Sequence, residues 1–188
     1  MRPSGVLTLL PPALLAAAAL AAQTPPPPTV ASARQSLVGA WQGKLEYRDY
    51  QADKWFGLPV KIVISDGGDG VTQVRVADFD DGPQTGIVRI TTVSLLMADG
   101  VTEYATSFRK ARVPDLSKAT LSLAPAKGAD STHWTMISLQ TAQDDNRPAT
   151  LRLTTTRDGN KLVTLKEVDF TDDAKQEWLV RNRETLTR

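Results

Sequence analysis

The spacing of the turn residues constrains this fold more than any other feature of the sequence. After Val38, short runs rich in Val, Ile, Thr and aromatic residues alternate with polar residues, and clusters of Gly, Asp and Pro separate them. Connections this short join antiparallel strands, because a parallel pair needs a crossover of a dozen or more residues. We therefore predict an all-β fold built on an antiparallel sheet.

An up-and-down β-barrel of about 8–10 strands is the favoured architecture, because nearly every connection is a short hairpin. A β-sandwich, which usually needs some long links, is the alternative. The turns Asp66-Gly-Gly-Asp-Gly70 and Asp158-Gly159-Asn160 are typical of hairpins. The predicted strands are Trp41–Asp49, Val60–Ile64, Val71–Val76, Ile87–Val93, Val101–Phe108, Thr120–Leu123, Thr132–Thr141, Ala149–Thr156, Leu162–Val168 and Trp178–Leu186.

The N-terminal residues are typical of a secretory signal peptide over residues 1–21. Arg2 precedes an apolar stretch from Val6 to Leu20, and Ala19-Leu20-Ala21 supplies the small residues of a cleavage site. Residues 22–36 are a Pro-rich linker with a possible short helix, and residues 37–188 form a single barrel domain. We expect a soluble protein that is periplasmic or secreted.

Charge and cysteine content exclude several classes of function. The sequence has 22 Lys+Arg and 21 Asp+Glu, and loss of Arg2 with the leader leaves 21 of each, a net charge near zero. Nucleic-acid binding usually needs clustered cations, so no nucleic-acid partner is expected. The absence of cysteine excludes a lipid anchor on Cys, and no stable membrane anchor is predicted.

The sequence favours a non-catalytic protein, and it predicts no catalytic residue, metal site or cofactor. His133 is the single histidine, whereas transition-metal sites normally use several ligands. The acidic turns lack the full spacing of a calcium loop and fit hairpin turns better. Glu46, Glu103 and Glu167 lie in predicted strands, where we expect outward, solvated side chains.

Two short motifs resemble the lipocalin/calycin superfamily. Gly39-Ala-Trp41 opens the first long strand and is similar to the family's Gly-x-Trp signature, and Thr102-Glu-Tyr104 is similar to its Thr-Asp-Tyr element. The chain resembles the small exported bacterial lipocalin-like domains without an assigned function. The resemblance implies that Gly39 and Trp41 close one end of the barrel, with Arg181 or Arg183 lying across the Trp41 ring.

The resemblance also implies a cavity for a small, mostly apolar molecule, unless side chains fill the interior. The aromatic residues in or near predicted strands are its candidate lining, although filling of the core is the usual role of such residues. Trp55 and Phe56 are adjacent aromatic residues in a predicted loop. They form a hydrophobic lid over one end of the barrel, a gate at the mouth of the cavity, or a surface that contacts a partner or membrane. An inward Arg181 needs an acid, a ring or an anionic ligand beside it. The candidate ligand-binding residues are Tyr47, Trp55, Phe56, Tyr104, Trp134, Trp178 and Arg181.

Two functions follow from these patterns. In the first, an exported barrel binds a small hydrophobic or amphiphilic ligand in its interior without catalysis. In the second, a filled barrel acts as a structural or interaction module of the cell envelope, with an unknown protein partner. An internal pocket distinguishes the first function from the second.

Overall fold

The computed structural model describes residues 26–188. The predicted signal peptide at 1–21 and the first residues of the predicted linker lie outside the described residues. Within the described part, a short helix, α1 (Val30–Gln35), precedes the first strand. Thr29 caps α1, because its side chain accepts a hydrogen bond from the Ser32 backbone N–H and the Ser32 side chain accepts one from the Thr29 backbone N–H.

Ten strands and one further helical turn follow α1. Their bounds are β1 (Gly39–Asp49), β2 (Lys54–Asp66), β3 (Thr72–Asp80), α2 (Gly82–Thr85), β4 (Ile87–Leu96), β5 (Thr102–Arg109), β6 (Asp115–Leu123), β7 (His133–Asp144), β8 (Arg147–Asp158), β9 (Lys161–Phe170) and β10 (Leu179–Thr187). No helix in residues 26–188 is long and apolar enough to cross a bilayer.

The strands form a closed antiparallel barrel in which each strand pairs with its neighbours in sequence and β1 pairs with β10. This confirms the predicted all-β, up-and-down barrel and excludes the sandwich. Asp115–Ala119, which has a locally helical pattern, instead begins β6 and pairs with β5. Tertiary pairing outweighs a weak local preference there.

Side chains alternate between the barrel interior and the outer face, as the period of a β-strand requires. The largest fully buried side chains are all inward: Val60, Ile62, Val168 and Leu186. Val60, Ile62 and Leu186 pack with Trp41 in the main core, toward the end of the barrel where β1 begins, whereas Val168 packs with Ala149 and Leu151 in a separate cluster.

The end of the barrel that contains Trp41 is closed by α1. Val30 and Ala33 of the helix are buried, and the helix contacts β6 and β7. Trp41 Nε1 donates a hydrogen bond to the carbonyl oxygen of Leu37, 2.8 Å away, which ties the segment after α1 to β1. We call this the closed end and the opposite end, where Tyr47 and Phe56 lie, the open end.

The wall of the barrel separates between β6 and β7. The two strands pair over only four positions, Thr120–Leu123 with Met136–Leu139. Toward the open end, residues 115–119 pair with β5 alone and residues 140–144 pair with β8 alone. The two strand segments therefore leave a gap between them, which we call the lateral opening.

Candidate binding site in the barrel interior

The lateral opening leads into a cavity of about 660 Å³. Strands β6 and β7 supply most of its lining, and Leu151 of β8 and Lys166 of β9 form its inner part. A small-molecule site usually has a volume of about 300–1,000 Å³. This cavity is therefore large enough for one small ligand.

Lys166 places a positive charge on the inner wall of this cavity. It lies on the same face of β9 as Leu162 and Val168, both of which are buried. The salt bridges of residues 26–188 do not include Lys166, although ion pairs satisfy many other charges of the barrel. Its ammonium group is thus available to an acidic ligand, beside the apolar side chains of Ala142 and Leu151.

A second charged pair crosses the middle of the interior. Arg75 of β3 and Glu184 of β10 both point inward, and Arg75 Nη2 donates to both Glu184 carboxylate oxygens, at 2.8 and 3.1 Å. Strands β1 and β2 separate β3 from β10 along the wall, so this pair bridges different parts of the wall across the interior. The interior therefore holds an ion pair at mid-height, next to the apolar core that contains Trp41 and Ile62.

A smaller cavity of about 200 Å³ lies at the open end. Tyr47 forms part of its wall and stacks on Phe56, with the ring centroids 5.6 Å apart. Both residues lie on inward positions, although Phe56 is 59% exposed because the barrel is open there. Burial and the nearby Asp81 carboxylate raise the pKa of Tyr47, an effect that Arg109 partly offsets.

Arg181 lies at the rim of the open end. A bulge between Val180 and Asn182 displaces Arg181 from the regular pairing of β10 with β9. Its guanidinium group bonds the carboxylates of Asp144 and Asp145 and lies 5.7 Å from the centre of the Phe170 ring. The acids and the ring that the sequence analysis required are thus present, without a ligand.

Three of the predicted lining residues lie on the outer face and do not line the interior. Trp55 neighbours Arg48 in the outward row of β2 and β1, and Tyr104 neighbours Lys118 in the outward row of β5 and β6. Trp178 precedes β10 and stacks on Arg152, an outward residue of β8, at 4.0 Å. The register set by the buried residues of β2 and β5 places the rings of Trp55 and Tyr104 outside, and stacking on Arg152 places the ring of Trp178 there.

The cations that cover Trp41 at the closed end are not the predicted Arg181 or Arg183. Gly39 and Trp41 begin β1 at the closed end, and Trp41 is 2% exposed. Arg188 lies over the Trp41 ring at 4.4 Å and Arg157 at 5.7 Å. Both arginines also donate to the Ser36 carbonyl oxygen, which links the ring to the segment after α1.

Arg183 does not lie across Trp41, because it is on the outer face of β10. Its guanidinium group donates to Glu46 Oε2 at 2.9 and 3.0 Å and lies 4.8 Å from the centre of the Trp55 ring. Hydrogen bonds from Lys44 and Arg183 lower the pKa of Glu46, against the opposing effect of burial. Arg183 thus links Glu46 and Trp55 on the outer face of the barrel.

A charged pair between α1 and β5 was not anticipated from the sequence. Arg34 is 4% exposed, and its Nε lies 2.9 Å from Glu103 Oε2. Arg34 also donates to the Val71 carbonyl oxygen and to Ser94 Oγ. Burial raises the pKa of Glu103, and the Arg34 charge opposes that rise. The expected solvated position of Glu103 is wrong, since its side chain points into the closed end.

Trp134 belongs to the closed end rather than to either cavity. It is buried, and its Nε1 donates to Ser36 Oγ at 3.2 Å and to the Ser131 carbonyl oxygen at 3.3 Å. Of the seven candidate ligand-binding residues, Tyr47 and Phe56 lie together at the open mouth. Arg181 lies at the rim, Trp134 lies in the core, and the remaining three lie outside.

His133 and the acidic turns have structural partners. The His133 ring is exposed and lies 3.0 Å from Asp130 Oδ1. Asp69 accepts hydrogen bonds from the Thr72 hydroxyl and from the Thr72 and Val71 backbone N–H groups, which lower its pKa to about 2. Residues 26–188 contain no group of three or more His, Cys, Asp or Glu side chains arranged to hold a metal ion.

A solved structure is similar to this chain in its fold. No family model matches this chain, and no curated protein matches it. The crystal structure of Rv2717c from M. tuberculosis has a TM-score of 0.57 and 11% sequence identity, over 87% of this chain and 99% of that chain. A protein with unknown function from the DUF3598 family of Nostoc punctiforme PCC 73102 has a TM-score of 0.24 and 10% identity, over 86% and 99%. The likeness to Rv2717c concerns the fold alone.

Proposed function

We propose that this chain binds a small amphiphilic molecule with an anionic group in the barrel interior, and that the molecule enters through the lateral opening. The single observation that carries the proposal is the cavity of about 660 Å³ with Lys166 on its inner wall. The cation binds the anionic group of the ligand, and Ala142 and Leu151 contact its apolar part.

An amphiphile fits this cavity better than a purely hydrophobic molecule. Gln140 and Lys166 lie among its lining residues, and burial of an unpartnered polar group against an apolar ligand costs free energy. The Arg75–Glu184 pair next to the apolar core gives the interior the same mixed character. Of the predicted aromatic contacts, Tyr47 and Phe56 at the mouth remain candidates, and Lys166 is added as the polar anchor.

The proposal includes export and a distant kinship with lipocalins. The leader pattern in residues 1–21 supports export to the periplasm or beyond. A barrel whose Trp41 is covered by cations at the helix-closed end supports the kinship. N-terminal sequencing of the protein recovered from its own cells tests the first of these, since an intact Met1 contradicts cleavage.

Calorimetric titration with decanoate and with decanol tests the binding site. The two probes have the same chain length and differ in their head group, which is a charged carboxylate in decanoate and a neutral hydroxyl in decanol. We expect decanoate to bind more tightly, and the substitution Lys166→Met to weaken its binding about tenfold or more, as loss of a charge-assisted hydrogen bond does. Decanol binding should change little.

Lys161→Met is the matched control, because Lys161 lies on the same strand in the outward row. It should leave both affinities unchanged. Equal decanoate affinity in the Lys166→Met and Lys161→Met variants would contradict the role of Lys166. Failure of both probes to bind the unmodified chain would contradict the proposed ligand class.

A further inference from the structure

The usual polarity of a barrel wall is inverted on β5. Its inward row includes Ala105 and Ser107, whereas its outward row includes Tyr104 and Phe108, both of which are 46% exposed. Aromatic side chains on the outer face of β5 add nothing to the packing of the barrel core. The inversion indicates a surface that contacts something outside the barrel.

The outward apolar residues of three neighbouring strands form one patch. A groove of about 680 Å³ runs between them over the outer face of β4, β5 and β6. Leu116 on β6 is 77% exposed, and Val113 in the preceding turn is 89% exposed. We call this surface the outer patch; it consists of Val93, Leu95, Tyr104, Phe108, Val113 and Leu116.

Cations surround the outer patch at the open end. Lys110 and Arg112 lie in the β5–β6 turn, and Lys118 lies over the Tyr104 ring at 5.7 Å. All three side chains are exposed, and none belongs to a salt bridge within residues 26–188. Asp115 is the single acid between residues 108 and 118, so this segment carries a clear positive charge.

We propose that the outer patch and the β5–β6 turn dock on the surface of an anionic lipid bilayer. Projecting apolar side chains with unpaired cations beside them match the boundary between acyl chains and acidic headgroups. Tyr104 has the amphipathic ring that favours this boundary. A second copy of the chain is a poor occupant, because two cationic patches would repel each other.

The docked orientation brings the lateral opening to the lipid. Leu116, Ser117 and Lys118 line both the outer groove and the cavity of the lateral opening. An amphiphile then passes between bilayer and barrel without crossing bulk water. Docking goes beyond the proposed ligand binding and does not depend on it, since Leu116 is the one member of the outer patch that also lines the cavity.

Single-cysteine labelling tests the docking directly, because the chain has no cysteine of its own. An environment-sensitive fluorophore is attached at Val113→Cys and, as the matched control, at Val63→Cys, an outward valine of β2 that is 51% exposed. Vesicles of phosphatidylglycerol and phosphatidylethanolamine should shift the emission of the label at position 113 to the blue. The label at position 63 should not shift. Position-specific labels keep any effect of residues 1–25 out of the comparison.

A charge-reversal experiment is the second test of the proposed docking. Lys110→Glu/Arg112→Glu should weaken vesicle binding at least about tenfold, and added salt should reduce binding by the unmodified chain. Lys127→Glu/Lys175→Glu, which alters two exposed lysines of other loops, should not. An equal response of the labels at 113 and 63, or equal binding to phosphatidylcholine vesicles, overturns the proposal. A blue shift at 113 that follows protein concentration without lipid identifies self-association instead and also overturns it.

Discussion

Arg75 and Glu184 join β3 to β10 across the barrel interior, with Arg75 Nη2 at 2.8 Å from Glu184 Oε2. The two strands are not neighbours, so this contact stabilises the cross-section of the barrel rather than a single ladder. The side chain of Glu184 is 14% exposed, which makes loss of its partner costly.

Removal of one partner should therefore destabilise more than removal of both. We expect Arg75→Met to lower the free energy of unfolding by about 1–3 kcal/mol, because a carboxylate is left without its ion pair. Arg75→Met/Glu184→Leu should cost less than either single change. Urea unfolding of the four proteins measures the coupling, and strict additivity would contradict it.

Arg34, the one charged residue of α1, should be sensitive to substitution. Arg34→Ala leaves the buried Glu103 carboxylate without its cation, which costs about 3–5 kcal/mol in comparable buried pairs. Thermal unfolding measures the loss. Arg89→Ala, which removes an exposed ion pair with Asp78 on the outer wall, is the control and should cost much less.

Glu103 should make stability fall as the pH rises. Burial raises its pKa in the folded chain above the ordinary value of 4.5, so the folded state binds this proton more tightly than the unfolded state. Its contribution is complete below pH 4.5 and is lost as the pH rises through the folded pKa. Glu103→Gln should flatten this part of the curve of stability against pH, and an unchanged slope would contradict the assignment.

Asp99 should make stability fall as the pH is lowered, which is opposite to the effect of Glu103. Hydrogen bonds from the Thr102 hydroxyl and from the Thr102 and Val101 backbone N–H groups lower its pKa from 3.8 to about 2. Because the folded pKa is depressed, this stabilisation is present above pH 3.8 and is lost as the pH falls toward 2. Asp99→Asn should remove that acid sensitivity in an acid-unfolding titration.

Trp41 and Trp55 offer a comparison between the inner and outer faces of the wall. Trp41→Ala should cost about 3–5 kcal/mol, as loss of a buried aromatic side chain does. Trp55→Ala removes a partly exposed ring that stacks on Arg183, and it should cost less. Similar losses in urea unfolding would contradict the assignment of Trp55 to the outer face.

A bulky residue in the lateral opening should block ligand entry. Ala142 lies on the inward face of β7 and lines the cavity, so Ala142→Phe should reduce decanoate binding while the barrel stays folded. Thr135→Phe places the same ring in the outward row of β7, away from the cavity lining, and should reduce it less. Circular dichroism checks the fold of both variants.

The sequence predicts the strands and their antiparallel pairing because hairpin turns are local signals. Asp99-Gly100-Val101-Thr102 shows why: Gly100 adopts φ 73°, and Asp99 accepts from residues two and three positions later. Pairing of β1 with β10 follows from closure, which removes every free edge.

The face of each strand was harder to predict. On β5 the aromatic Tyr104 points outward and Glu103 points inward, the reverse of the usual hydrophobic pattern. The partner of Glu103 is Arg34, which lies in another element and carries no local signal. Lys166 was missed because a lysine in a strand usually faces solvent, and only the register with Leu153 and Asn182 places it inside.

The pairing of β1 with β10 also sets the order in which the molecule can fold. The first strand finds its last neighbour only after nearly the whole chain has been synthesised, so the ring closes through contacts of long sequence separation, which form later than the local hairpins. Until then β1 is a free edge that another chain can pair with. A nascent or C-terminally shortened chain is therefore the form most prone to aggregation, whereas the completed ring has no open edge there.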